Sequence, residues 1–192
     1  MLDYLKETPS QTAGPYVHIG LIPNQAGFDI FANPFGPEIA GPSAQGQRIR
    51  IEGRILDGLG EPCREVLIEA WQADHEGRYD NPAFRGWGRS GTDFETGLYT
   101  FDTIKPGRVP ARDGSLQSPH ISLWLVARGI NIGLQTRLYF ADEDNTADPV
   151  LTIVDTVRRP TLLAHPQLRD GLPTYTFDIR LQGDNETVFL DA

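Results

Sequence analysis

The sequence predicts an all-β fold: a β-sandwich with an extended N-terminal arm and little helix. Three observations support that expectation. Apolar and polar residues alternate with period two in several short stretches from Arg48 onward, the pattern of half-buried strands. Turn chemistry separates those stretches, with 20 glycines and 15 prolines in 192 residues, a share above average but below that of low-complexity chains. Helical periodicity is thin throughout.

Residues 1–47 read as an irregular arm. Pro9, Pro15, the run Asn33-Pro34-Phe35-Gly36-Pro37 and Gly41-Pro42 fix their own φ and restrict the residue before them, which favours extended or turning chain. Yet the segment includes Tyr16, Val17, Ile19, Leu21, Ile22, Phe28, Ile30 and Phe31. A disordered tail would be poorer in such residues, so the arm is expected to be ordered and packed on the domain or on a neighbour.

Residues 48–192 form the sandwich domain. Strands are expected at 48–55, 65–71, 98–101, 121–127, 135–140, 175–182 and 187–190, with turns at Asp57-Gly58-Leu59-Gly60 and Thr96-Gly97. Residues 121–127 are almost continuously apolar, which predicts a central strand buried on both faces. A short helix interrupted at Pro149 is expected within 145–154, and one helical turn at 161–165. Gly86-Trp87-Gly88-Arg89-Ser90-Gly91 spells a dinucleotide-binding pattern, but that mechanism needs a helix to follow. Here the chain heads into a strand, so a tight loop is expected instead.

Charge and cysteine content exclude several functions. Seventeen basic against 26 acidic residues give a net charge of −9, which disfavours nucleic acid and anionic membranes as partners. Cys63 is the single cysteine, so neither a disulfide nor a cysteine metal cluster is available. No run of about 18 apolar residues exists to span a membrane. The opening residues lack the features of an export signal, which makes the cytoplasm the expected location. The four histidines, His18, His75, His120 and His165, show no chelating i, i+2 or i, i+4 spacing. Asp74-His75-Glu76-Gly77 reads as a solvated turn, and His120 as a core histidine with a backbone partner.

Longer blocks carry a resemblance. They are residues 7–21 (ETPSQTAGPYVHIGL), 69–74 (EAWQAD), 127–132 (ARGINI), 136–140 (TRLYF), 177–183 (FDIRLQG) and 186–189 (ETVF). On these the chain resembles the intradiol ring-cleaving dioxygenases, and within them the non-iron α chain of the two-chain members. The resemblance implies a sandwich with immunoglobulin- or transthyretin-like layers. It also implies a ferric ion held by two tyrosines and two histidines in the catalytic chain. Phenolates are hard anionic donors suited to Fe(III), unlike the two-histidine, one-carboxylate set used for Fe(II).

Followed along this chain, the ligand motifs fall at Tyr79, Val109, His120 and Ser122. Two of the four donors are therefore replaced, and the resemblance implies no metal and no catalytic residue here. Tyr79 and His120 are left as remnants. Fe(III) is then expected in a homologous β subunit. The resemblance further implies that arm residues Thr12, Gly14 and Pro15, with Arg128, line that partner's pocket and meet 3,4-dihydroxybenzoate at the αβ interface. The holoenzyme, a higher αβ oligomer, would insert both atoms of O2 and give 3-carboxy-cis,cis-muconate. Glycine lets backbone approach a ligand closely, proline fixes the chain, and arginine offers a planar fork of donors to a carboxylate. Two other readings stay open on the residues alone: a self-sufficient metal enzyme using Tyr79 and His120, and a non-enzymatic sandwich scaffold.

Overall fold

A computed structural model describes residues 12–14, 16–32 and 35–191. The strands are β1 (Arg48–Leu56), β2 (Val66–Gln72), β3 (Trp87–Gly91), β4 (Leu98–Ile104), β5 (Val109–Pro110), β6 (Leu116–Gln117), β7 (His120–Ala127), β8 (Leu134–Phe140), β9 (Leu163–Arg169), β10 (Leu172–Thr176) and β11 (Ile179–Arg180). Two short helices accompany them, α1 (Tyr16–Leu21) and α2 (Pro149–Ile153). A 3-10 turn spans Arg159–Leu162.

Two layers enclose the core. One contains β4, β1, β10 and β9, with β11 continuing beside β1; the other contains β3, β2, β7 and β8. Strand β9 joins them. Its first two residues pair with β8, and residues 165–169 pair with β10. The alternation in β1 is explained by this arrangement: Ile49, Ile51 and Ile55 point inward and join Tyr99, Phe101, Ile68, Leu123, Leu125 and Leu138 in one buried cluster. Truncating such a side chain to alanine typically costs about 2–5 kcal/mol.

Several expectations are corrected. Strand β7 is central, between β2 and β8, but only His120 and its inward residues are buried. Ser122, Trp124 and Val126 are half-buried on the outer face. The stretch expected as a tight loop at 86–91 is edge strand β3. Its glycines make room for the arm: a Cβ on Gly88 would lie 2.6 Å from Ile39, and one on Gly91 2.4 Å from Ile22. The arm covers this edge, with the Arg89 N–H donating to Gly36, the Arg89 guanidinium to Leu21 and the Gln25 amide to Thr92. The arm is not wholly irregular, since it includes α1. These contacts place parts of it on the chain's own sandwich.

Pro149 begins α2 and does not interrupt it, because Asp148 caps the first turn through the N–H groups of Val150 and Leu151. The helical turn expected at 161–165 ends at Leu162, where β9 takes over. Residues 175–182 are split into β10 and β11 at Phe177-Asp178. There the Asp178 carboxylate accepts the Arg54 N–H at 2.9 Å, in place of a strand carbonyl. The final strand expected at 187–190 does not form a ladder. It makes single bonds instead, from Thr187 N–H to Arg180 and from Leu190 N–H to Gln135.

Candidate functional site

Two places on the second sheet collect the residues singled out by the sequence. They lie at opposite ends of β7.

At the C-terminal end, Ala127 closes the strand and Gly129, with φ +92°, turns the chain so that Ile130 N–H reaches Ala127 O. Arg128 sits at the apex. The arm docks here through Thr12, whose hydroxyl donates to Ala127 O at 3.2 Å and accepts the Gly129 N–H at 2.7 Å. Thr12 thus brackets Arg128 from both sides. The Arg128 side chain is 61 % exposed and pairs with Glu65. Such a surface pair is worth about 0–1 kcal/mol, so the guanidinium is readily released to another anion. A Cβ on Gly14 would meet nothing of this chain, so no intrachain contact demands glycine there. Pro15 lies outside the described residues.

At the N-terminal end, His120 and Ser122 lie on the outer face of β7, Tyr79 lies in the loop that follows β2, and Val109 lies in the separate β5–β6 pair. Trp71, Ser122 and Arg137 stand directly opposite one another across β2, β7 and β8, and Tyr79 stacks on Trp71 at 5.9 Å. Burial raises the Tyr79 hydroxyl above the usual phenol range, and the Arg137 charge works against that shift. His120 pairs with Tyr139 across the ladder, is 2 % exposed, and donates from Nδ1 to Ser118 O at 2.8 Å. Its pKa is lowered to about 4, first by burial and then by the Arg137 charge. This matches the expected core histidine with a backbone partner. Val109 is buried and pairs with Gln117 between β5 and β6.

The loop that presents Tyr79 is not the solvated turn expected from Asp74-His75-Glu76. Asp74 is fully buried, and its carboxylate accepts the N–H groups of Glu76 and Arg78, both at 2.9 Å, and the Asn81 amide at 2.8 Å. The loop presses backbone to backbone against residues 105–109, with Gly107 N–H donating to Asp74 O. A Cβ on Gly77, which has φ +81°, would lie 1.9 Å from Arg108 O. Here glycine is required by close approach as well as by backbone conformation.

Sequence reasoning missed Arg137. Its guanidinium donates to Gln117 Oε1 at 2.7 Å and to the Tyr139 hydroxyl at 3.4 Å. That hydroxyl donates to Asp148 at 3.2 Å, and Asp148 also accepts the Ser118 N–H. An arginine in an otherwise alternating strand reads as solvent-facing, and only the register with Ser122 reveals its position. Among the described residues, no group of three or more His, Cys, Asp or Glu side chains could hold a metal ion.

A two-layer sandwich of mixed strands with these motif positions near one end of β7 is the arrangement expected of an intradiol dioxygenase scaffold, and comparison with known proteins agrees. A family model described as "Dioxygenase" matches residues 38–183. The chain belongs to the intradiol dioxygenase family. Over nearly its whole length it is similar to the protocatechuate 3,4-dioxygenase alpha chain of Pseudomonas putida, at 46% identity covering 99% of this chain and 98% of that protein. The beta chain of the same enzyme from Burkholderia cepacia is 33% identical, covering 83% and 80%. Among solved structures, the dioxygenase domain of a carbohydrate-binding fusion from Streptomyces sp. SirexAA-E is 27% identical, with a TM-score of 0.61 over 95% of this chain and all of that one. An intradiol ring-cleavage dioxygenase from Tetranychus urticae shares the fold at a TM-score of 0.62 and 16% identity, over 80% of this chain and 89% of that one.

Proposed function

We propose that this chain is the non-iron α subunit of a protocatechuate 3,4-dioxygenase. It would act with a homologous iron-bearing β subunit on 3,4-dihydroxybenzoate. The substrate ring opens between its two hydroxyl-bearing carbons, both atoms of O2 are inserted, and 3-carboxy-cis,cis-muconate results. The chain's part is to shape and charge the pocket, and to assemble into a higher αβ oligomer.

The observation that carries this reading is the separation of the two places. His120 and Ala127 are the two ends of β7, seven residues or about 23 Å apart at ~3.3 Å per residue, and Arg128 follows Ala127 in the turn. Arg128 therefore does not reach the ligand positions of its own chain, and its exposed guanidinium, positioned by the Thr12 dock and held only by a surface pair with Glu65, is placed to serve another's. The donor set at 79, 109, 120 and 122 does not fit a ferric ion. Valine offers no donor, a neutral serine is a poor replacement for imidazole, and one phenol is too little anionic charge for Fe(III). Iron is accordingly assigned to the partner.

The arm supports an interface. Tyr16, Ile19, Leu21, Phe28, Ile30, Phe31 and Phe35 are all exposed within one stretch of the arm, and exposed apolar surface of this kind suits an interface. An acidic chain receiving an acidic substrate needs a local cation, and Arg128 supplies it at the corner where the arm docks. With its lone free thiol at Cys63, the chain suits a reducing cytoplasm.

The test is co-expression with a β chain bearing the full ligand set, followed by Arg128→Ala. A charge-assisted hydrogen bond is worth about 1.5–3 kcal/mol, so kcat/KM should fall roughly 10- to 100-fold while iron per β chain is unchanged. An unchanged kcat/KM removes Arg128 from the pocket. Lost iron would make its role structural.

A further inference from the structure

We propose that the Arg137 guanidinium stands in this chain as a fixed cation in the place of a metal, keeping the four surrounding positions closed to metal ions. The claim goes beyond the absence of two donors. It rests on the reading of residues 79, 109, 120 and 122 as a former ligand set.

Each of those positions is tied to Arg137. Ser122 is its direct cross-strand neighbour on the same face. His120 packs on Tyr139 at 5.7 Å, and Arg137 donates to the Tyr139 hydroxyl. Val109 pairs with Gln117, whose side-chain oxygen accepts the shortest hydrogen bond Arg137 makes. Tyr79 reaches the same row through its stack on Trp71, which is opposite Ser122. Arginine does not lose its proton in proteins. Among the described residues no carboxylate lies within ion-pair distance of Arg137; the ion pairs involve Arg50, Arg78, Arg89, Lys105, Arg128, Arg158 and Arg169. Its positive charge is therefore held in place by neutral acceptors, and the acid nearest to it in this network, Asp148, is reached only through the Tyr139 hydroxyl. A trivalent cation entering among the four positions would meet that charge at close range and in a partly desolvated setting, where repulsion is strong. The same guanidinium links β6 to β8 and, through Tyr139 and Asp148, to the cap of α2. It thus takes over the cross-linking that a metal provides in a ligand-complete site.

The experiment restores the donors and varies only the charge. Full-length chains are prepared with Val109→Tyr and Ser122→His, each with Arg137 retained, with Arg137→Gln, and with Arg137→Lys. They are dialysed against ferric citrate, and iron per chain is measured together with the tyrosinate-to-iron absorption. The Gln version should bind iron roughly 100-fold more tightly than the Arg and Lys versions, the scale of one close unlike or like charge. Because Val109 is buried, Ser122→His alone gives a milder background with three donors, in which the same ordering is expected. Equal iron in the Gln and Arg versions of either folded background overturns the proposal, and so does iron in the Lys version matching the Gln version. Metal is read on this chain alone, so the outcome is independent of whether a β partner exists.

Discussion

Asp74 shows how a single side chain organises the outer face of the second sheet. Burial pushes its carboxyl up, but the N–H of Arg78, the Asn81 amide and the N–H of Glu76 outweigh that and hold it below the usual carboxylate range. A depressed folded pKa contributes stability that is complete above the unfolded value of about 3.9 and is lost as pH falls through the folded one. Asp74→Asn keeps one acceptor oxygen but sets an amide against the Asn81 amide. It should lower stability by about 2 kcal/mol at neutral pH, with the gap to the natural chain shrinking as pH falls below about 4. Urea denaturation at the two pH values measures this. A gap that stays constant would show that the carboxylate charge is not what holds the loop. The sequence hid this role because Asp-His-Glu-Gly has the composition of a solvated turn. Only the fold lays residues 105–109 across it. Arg128 could be singled out as a candidate because its block is long, whereas Arg137 needed the β7–β8 register.

At the scale of elements, period two was the reliable signal. Strands β1, β2, β4, β7 and β8 each bury one face, and each was visible as alternation or an apolar run. Four strands were missed; β5 and β6 are only two residues each, and the longer two, β3 and β9, lack that signal for physical reasons. Strand β9 buries only Ala164 fully and is exposed from His165 to Arg169. It carries Pro166, which is tolerated because pairing with β8 ends at Ala164 and leaves the rest an edge. Strand β3 is rich in glycine because the arm lies on it. Gly88→Val should therefore act through the arm: its Cβ would meet Ile39 at 2.6 Å and Gly36 O at 3.0 Å. Overpacking of this kind costs about 1–3 kcal/mol. The expected readout is faster hydrogen exchange at the Arg89 amide, which donates to Gly36, and earlier proteolytic cleavage within residues 16–47. Protection equal to the natural chain would mean that the arm is held elsewhere.

For the whole molecule, the question is what keeps two sheets in register where the apolar core thins out. Lys105 follows β4 in the first layer and reaches the second. Its ammonium bonds Asp142 at 2.9 Å and Glu143 at 2.7 Å, and lies 5.3 Å from the Phe140 ring and 5.5 Å from that of Tyr175. The Tyr175 hydroxyl closes the group by donating to Asp142 at 2.9 Å. Residues of β8 and β10 are thus clasped by one cation whose side chain is 13 % exposed. Burial disfavours that charge, but the hydrogen bonds to Glu143 and Asp142 outweigh it and hold the lysine pKa above its ordinary value. A raised folded pKa gives stability that is complete below the unfolded value of about 10.4 and is lost only as pH rises through the folded one. Lys105→Met keeps the aliphatic stem over both rings and removes the charge, leaving two carboxylates facing each other. It should cost about 2 kcal/mol and lower Tm by some 4–8 °C in a chain of this size. That loss should be the same from about pH 6 to pH 9, because the raised lysine stays charged throughout that window. It should also largely persist at high salt, where exposed pairs are screened and this partly buried group is screened much less. A Tm that salt alone restores would reduce the clasp to a surface ion pair and leave the register of the sheets to the apolar core.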